Sequence, residues 1–340
     1  MLSYRTNKPR IIVTTGDPAG IGPEIISGAI AKDEIASLGL FIVVGGKKIF
    51  ESVLPSRVQK NISFHTLQEA LTLGDFRDGM IHMVDPEVSP GDITFGKPSA
   101  EASRFALACL EASVKLIKAL PADVPKAIVT APVNKGGIAS ISPGFKGHTE
   151  YFQEAFASEM ITMALVGRHL SVIPVTRHIP ICSVARALNE EVVFKAIKQV
   201  AEYRRVISGM DEPVIGVCGL NPHCGENGKI GDEEIKIIKP AIDRALKIYS
   251  KIKGPIPADT VFYQAMKKEI NIVIAMYHDQ GLAPFKMVDF DSGVNMTLGL
   301  GCVRTSPDHG TAYDIAGKGI ASSRSMEEAI KLAADRAHAG

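Results

Sequence analysis

The chain has 340 residues, 46% hydrophobic and 22% charged, with 38 Lys and Arg against 37 Asp and Glu for a formal net charge of +1. This is the composition of a folded protein long enough for two cores, and so even a charge balance gives no field that recruits nucleic acid or an acidic membrane. No apolar run approaches the roughly 20 residues a bilayer crossing needs. The N-terminal residues lack the apolar stretch of a secretory signal, and the five cysteines are odd in number and widely spaced, as reduced thiols are. The expectation is a cytoplasmic protein with a small-molecule partner, no nucleic acid and no membrane.

Residues 10–15, RIIVTT, predict a short buried strand that runs into GDPAGIGPE at 16–24, with Pro23 just inside a helix start. The glycines resemble a nucleotide-binding turn, yet the spacing is not GxGxxG, and a tight strand-to-helix turn needs the same glycines. A second strand at 40–45 follows a helix, as a βαβ unit requires, so a parallel sheet is expected. Residues 99–120 alternate apolar and charged positions as a long amphipathic helix capped by Ser99. The strand at 126–131 then ends in PVNK, which places Lys135 near a strand end.

At 144–150, GFKGHTE precedes a helical pattern, so His148 and Thr149 stand where a helix begins. Free N–H groups and the helix dipole attract an anion there, and Thr149 is also a capping candidate. Segments 161–167 and 171–175 read as adjacent strands, with His178 after the second. Residues 189–207 predict an amphipathic helix, and the buried strand at 213–220 ends in NPHCGENG, a loop rich in polar ligands. Residues 232–249 are helical, with acids first and lysines later, as the macrodipole favours. PADT at 257–260 leads into a helix that Asp259 or Thr260 caps. An apolar strand at 271–277 gives way to a polar loop at His278-Asp279-Gln280-Gly281, and Lys286, Asn295, Arg304 and Asp308-His309-Gly310-Thr311 follow. At the carboxyl end of a parallel strand such residues face the ligand crevice of an open α/β sheet.

Of nine histidines, His178, His223 and His278 each follow a buried strand directly. Three imidazoles with an open position suit zinc or another divalent ion that binds substrate, and Asp259 and Asp279 are candidates to orient the rings. His65, His82, His169 and His338 have no comparable setting. No linker marks a boundary, so the domains are expected to be interleaved.

The segments GDPAGIGPE at 16–24, GHTE at 147–150, LNPH at 220–223, PADT at 257–260, MYHDQG at 276–281, GVN at 293–295 and RTSPDHGT at 304–311 together resemble the 4-hydroxythreonine-4-phosphate dehydrogenase family, in family order. The stretch 308–319 is also similar to the adenine-side loop of isocitrate and isopropylmalate dehydrogenases, which bind NAD without a Rossmann fingerprint. The resemblance implies an α/β protein of two interleaved α/β/α domains of that type, residues 1–140 with 305–340 and residues 141–304. It implies an active site in the cleft between them, and a homodimer whose partners share each site.

By motif, His178, His223 and His278 are implied to hold one divalent ion, zinc, magnesium or cobalt, with Asp259 and Asp279 in support. His148, Thr149, Lys286, Asn295 and Arg304 are the implied substrate contacts. Gly310, Thr311 and Asp314 are assigned to the adenosine half of NAD, where the Asp314 carboxylate repels a 2′-phosphate; its alternative role is that of a helix N-terminal acid. The general base is left between Lys286 and a water relayed through Asp279. Departures from the family pattern are Cys224, where alanine is common, and Gly301-Cys302, where a proline-containing pair is usual.

The implied reaction is NAD-dependent oxidation of 4-phosphooxy-L-threonine at C3 to 2-amino-3-oxo-4-phosphooxybutanoate. That product decarboxylates to 3-amino-2-oxopropyl phosphate, in pyridoxal 5′-phosphate biosynthesis. Relatives with these motifs oxidise erythronate or threonate 4-phosphate, or aromatic cis-dihydrodiols, and the Lys and Arg cluster favours a phosphate. A reading of another class is a metal-dependent hydrolase or a phosphometabolite-binding protein with no redox role.

Overall fold

The computed structural model describes residues 8–73 and 76–338. In chain order the strands are β1 (Arg10–Thr14), β2 (Leu40–Val44), β3 (Ile62–Thr66), β4 (Ile81–Asp85), β5 (Lys126–Thr130), β6 (Thr162–Val166), β7 (Ser171–Pro174), β8 (Ile215–Cys218), β9 (Ile252–Ile256), β10 (Ile272–Ala275), β11 (Val294–Leu298) and β12 (Val303–Pro307). The chain divides into two compact units, one running to Ile161 and resuming over Leu300–His338, the other spanning Thr162–Gly299. The units are interleaved in sequence, but their boundaries are displaced from 140/141 and 304/305. The displacement has a packing cause. Phe145 and Phe152 are buried in the core formed with helix Ala100–Ala119, and β12 pairs in parallel with β5. His148, Thr149 and Arg304 therefore belong to the first unit rather than the second.

In the first unit the strands run in the order β3-β4-β2-β1-β5-β12, all pairs parallel. Ile12 sits opposite Ile42 and Ile128, and these even-numbered side chains pack on Phe105, Cys109, Leu110 and Ile117 of the long helix. Ser99 caps that helix, its Oγ accepting from the amide of Ala102 at 3.0 Å. The odd-numbered residues Ile11, Val13, Val43 and Val129 are buried too. Helix Arg324–Arg336 approaches the sheet where Thr305 Oγ1 donates to the carbonyl of Ala329 at 2.8 Å. Burial on both faces is why these strands read as unbroken apolar runs, each buried isoleucine contributing about 1.5–3 kcal/mol.

The second unit is mixed, in the order β11-β6-β7-β10-β8-β9. β7, β10, β8 and β9 are parallel neighbours, whereas β6 is antiparallel to both β11 and β7. The turn between β6 and β7 is too short for the crossover a parallel pair needs. Asp289 holds that turn. Its carboxylate, 1% exposed, accepts from the amides of Arg168, His169 and Leu170 at 3.1, 3.0 and 2.9 Å, from His169 Nδ1 at 2.9 Å and from Ser292 Oγ at 2.8 Å. Burial alone would raise its pKa, but the bonds from His169, Ser292 and Leu170 outweigh burial and hold it below the usual range.

Asp289→Asn, which turns an amide group toward these donors, is expected to destabilise the protein by about 2–3 kcal/mol. The depressed folded pKa sets the sign of the pH dependence. The contribution is present above the unfolded carboxylate pKa, about 3.9, and is lost as pH falls through the lower folded value. Urea denaturation across the acid range checks both. A variant as stable as the parent, or one with the same acid limb, would contradict the assignment.

Among the described residues no helix is long and apolar enough to cross a membrane. All five cysteines are free.

Candidate functional site

In the first unit, the glycine turn after β1 is built for close backbone approach. Gly16 has φ +73°, and a Cβ there would lie 2.4 Å from the carbonyl oxygen of Pro132; a Cβ at Gly22 would lie 2.1 Å from that of Thr15. The turn's amides are already engaged, Asp17 N donating to Pro132 O at 2.8 Å and Ile21 N to Thr311 O at 3.0 Å. These glycines serve a strand-to-helix turn rather than a phosphate cradle. The turn in turn holds the stretch 308–319: Tyr313 donates its hydroxyl to the buried Asp17 Oδ2 at 2.6 Å, and the amide of Gly319 donates to Glu24 Oε1 at 3.1 Å.

Within that stretch Gly310 and Asp314 are exposed and Thr311 half-buried. A Cβ at Gly310 would meet nothing within 4 Å, so neither packing nor a left-handed φ requires glycine there, and the space suits a ligand's close approach. Asp314 does not open a helix, since the next one begins at Arg324. The helix-acid alternative is therefore removed.

A second group in the same unit is built around a buried arginine. Arg304 on β12 is 2% exposed, hydrogen-bonds Thr130 Oγ1, and lies over the Phe152 ring at 5.8 Å. Burial lowers its pKa to about 10, opposed by the nearby Glu150 carboxylate, so it stays charged at neutral pH. His148 opens helix His148–Ala155 and stacks on Phe152, centroids 6.4 Å apart and planes at 11°. Its Nε2 is buried without a hydrogen-bond partner. Burial, then the positive charges of Arg304 and Lys135, hold its pKa well below the usual value, so the ring is neutral.

Gly147, at φ +149°, brings the helix start close to Lys135: a Cβ there would lie 3.6 Å from Lys135 Nζ. No side chain caps the helix, so Thr149 keeps its hydroxyl for another partner. A helix N-terminus, an arginine, a lysine and an unsatisfied imidazole nitrogen form a setting for a multiply charged oxyanion.

In the second unit the structure brings His178, His278 and Asp279 together. The rings of His178 and His278 lie 5.8 Å apart. They line a cavity of about 280 Å³ with Arg177, Ile179, Ile181, Val184, Tyr277 and Asp279. His278 Nδ1 donates to Asp279 Oδ1 at 2.7 Å, which leaves the Nε2 lone pair for a metal, the usual carboxylate-oriented arrangement. The loop expected at 278–281 is instead the first turn of helix His278–Asp289.

His223 does not join this pair. Among the described residues no group of three or more His, Cys, Asp or Glu side chains within the one chain is placed to hold a metal ion. The reason is local: His223, Cys224, Gly225, Glu226 and Asn227 form a left-handed turn, φ +43° to +75°. Glu234 anchors the turn's start, accepting from the amides of Leu220 and Asn221 at 2.7 Å each. Burial, then the Glu234 carboxylate and least that of Asp259, raises the Cys224 thiol pKa, which puts Asp259 within electrostatic reach of the turn. Asp259 does not cap its helix, because the helix starts at Ala258 after Pro257, whose ring presets the entry. A left-handed φ costs a non-glycine residue about 1–2 kcal/mol. Glu226→Gly is therefore expected to stabilise the protein by about 0.5–1 kcal/mol after the entropic cost of glycine. A fall in melting temperature would argue against that backbone.

Two further candidates lie elsewhere in this unit. Lys286 is on the helix that His278 opens, its Nζ 5.3 Å from the Phe290 ring centroid. Asn295, on β11, donates Nδ2 to Met163 Sδ at 3.5 Å, and its buried Oδ1 has no hydrogen-bond partner. Sequence reasoning missed Phe152, Asp17, Tyr313 and Gln280. Asp17 and Gln280 stand inside quoted motifs, but nothing local marks their bonding partners.

Comparison with known proteins adds four likenesses. Residues 38–333 match the family model described as pyridoxal phosphate biosynthetic protein PdxA. The chain is 39% identical to a D-threonate 4-phosphate dehydrogenase of Cupriavidus necator, over 97% of each chain. It is 38% identical to a 4-hydroxythreonine-4-phosphate dehydrogenase of Desulfosudis oleivorans, over 97% of this chain and 96% of that one. A crystal structure of 4-hydroxythreonine-4-phosphate dehydrogenase from Klebsiella pneumoniae superposes with a TM-score of 0.85 at 36% identity, covering 98% of this chain and 99% of that one.

Proposed function

Because the chain belongs to the pyridoxal phosphate biosynthetic protein PdxA family and is an oxidoreductase, we propose that it oxidises a four-carbon hydroxy acid bearing a 4-phosphate, with NAD as hydride acceptor and one divalent metal ion. The observation that carries the substrate class is the cluster of buried Arg304, half-buried His148 and exposed Lys135, whose unsatisfied Nε2 and positive charge suit a phosphate dianion. Thr149 adds a hydroxyl donor at the same helix start. Lys286 and Asn295 contact the remainder of the substrate.

His178, His223 and His278 are the proposed metal ligands, with Asp279 fixing the tautomer of His278 and Asp259 supporting the His223 turn. The metal would acidify the C3 hydroxyl, and NAD would accept the hydride from C3. The chain's own part is to take the hydroxyl proton, through Lys286 or a water relayed by Asp279, and to exclude water from the phosphate. Gly310 and Thr311 offer close backbone approach to the adenosine half, and the exposed Asp314 carboxylate disfavours a 2′-phosphate. Met287 and Phe290, 86% and 72% exposed at the end of helix His278–Asp289, support a homodimer in which a second copy covers them. In that assembly each metal draws imidazoles from both subunits.

The substrate read from the motifs is 4-phosphooxy-L-threonine, whose oxidised product loses carbon dioxide on the route to pyridoxal 5′-phosphate. Relatives of equal similarity named for D-threonate 4-phosphate support a second reading. A panel of both substrates and erythronate 4-phosphate, each with NAD and NADP, separates them. One substrate should exceed the others in kcat/KM by at least about tenfold, and NAD should exceed NADP by a similar factor, about 1.4 kcal/mol. Release of inorganic phosphate with no nucleotide reduction would replace this reading with a hydrolase.

A further inference from the structure

Arg304 reaches its place by running along the sheet. In the register of β12 with β5 it stands opposite Ile128. Its Nη2 donates to Oγ1 of Thr130, two residues and about 6.6 Å further toward the carboxyl end of β5. Ile128, Thr130 and Arg304 share one face of the sheet, and Thr14 on β1 lies directly opposite Thr130 on that face. Both threonines are 0% exposed. They differ in one respect: Thr130 receives the guanidinium, while Thr14 Oγ1 is buried with no hydrogen-bond partner.

A hydroxyl is a suitable partner for an anion-binding arginine. Its oxygen accepts one of the five guanidinium N–H bonds and leaves the charge in place. A carboxylate at the same point would neutralise that charge and compete with an incoming anion. The Phe152 ring, its centroid 5.8 Å from the guanidinium carbon, supports the group without neutralising it either, and the same ring stacks on the His148 imidazole. From Thr130 the chain runs through Asn134 into the helix that Lys135 opens, so one bond ties the guanidinium to the segment that bears the lysine. We propose that Thr130 is a positioning residue for the anion site: its hydroxyl fixes the Arg304 guanidinium beside His148 and Lys135 while touching no ligand itself. The inference rests on the phosphate reading above and deepens it.

The probe is inorganic phosphate, its dissociation constant measured by calorimetry and checked by the rise in melting temperature it causes. Thr130→Val keeps the shape and removes the acceptor. It should weaken phosphate binding by about 10–100-fold, the range for a lost hydrogen bond to a charged group. Thr130→Ser, which restores the hydroxyl, should bind within about threefold of the parent. Thr14→Val, the same change on the neighbouring strand, should bind within about twofold. In an Arg304→Gln background Thr130→Val should cost less than about twofold more, because the group it positions is already gone. If Thr130→Val fails to fold, Thr130→Ala and Thr14→Ala replace the two valine variants.

Unchanged phosphate binding in Thr130→Val, no rescue by Thr130→Ser, an equal loss in Thr14→Val, or losses that add fully in the double variant would each overturn the proposal. Unchanged phosphate binding in Arg304→Gln, or none in the unaltered protein, would overturn the phosphate reading, and this inference with it.

Discussion

Arg304→Gln is expected to lower kcat/KM for the phosphorylated substrate by about 10³-fold, roughly 4 kcal/mol, with most of the change in KM. Removing one member of a buried, hydrogen-bonded charge pair costs about 2–5 kcal/mol, and here the lost partner is the buried cation of the anion cluster. Glutamine can still bond Thr130 Oγ1 but carries no charge, and His148 does not replace it because burial, the largest cause of its lowered pKa, and the Lys135 charge both remain. The control is the substrate without its phosphate, on which Arg304→Gln should have little effect. Equal losses on both substrates, or a drop in melting temperature that accounts for the lost activity, would show that Arg304 holds the fold and not the phosphate.

His278→Ala is expected to yield a folded protein with little bound metal and activity reduced by on the order of 10³-fold. Its ring is half-buried, so truncation removes a ligand with little loss of packing. Asp279→Asn tests the orientation argument separately. It should weaken metal binding by about 10–100-fold, because an amide facing Nδ1 favours the other tautomer and takes the lone pair from Nε2. Metal content by atomic absorption, measured beside the rate, distinguishes the two variants. A His278→Ala protein with full metal occupancy would remove His278 from the ligand set.

Much of this was legible in the chain because the relevant signals are local. Strand ends, the Ser99 cap and the helix start at His148 follow from patterns a few residues long, and each appears where the pattern puts it. What stayed hidden depends on tertiary bonds. The helix at 278–289 was masked by Gly281 and Pro284, both of which argue against helix locally, while Gln280 reaches back to the Met276 amide and supports its first turn. The left-handed run at 223–227 has no composition that announces it as a whole, since Cys224 and Glu226 rarely adopt that region although Gly225 and Asn227 do.

The boundary between the units moved because Phe152 is buried with helix Ala100–Ala119, a preference that periodicity cannot reveal. The same burial explains why His148 and Arg304 act as neighbours although far apart in sequence. The glycine turn at 16–22 shows the reverse case: its spacing suggested nucleotide, and its backbone contacts account for the glycines without one.

The central claim, a metal-dependent NAD dehydrogenase of a four-carbon phosphorylated hydroxy acid, is tested most directly by following NADH formation with chelator-treated protein before and after a divalent ion is restored. 4-Phosphooxy-L-threonine and D-threonate 4-phosphate are supplied in turn. The account predicts no NADH without the ion and recovery with it, for at least one of the two substrates. Full turnover by protein shown to be free of metal, or no NADH from either substrate after metal is restored, would contradict it.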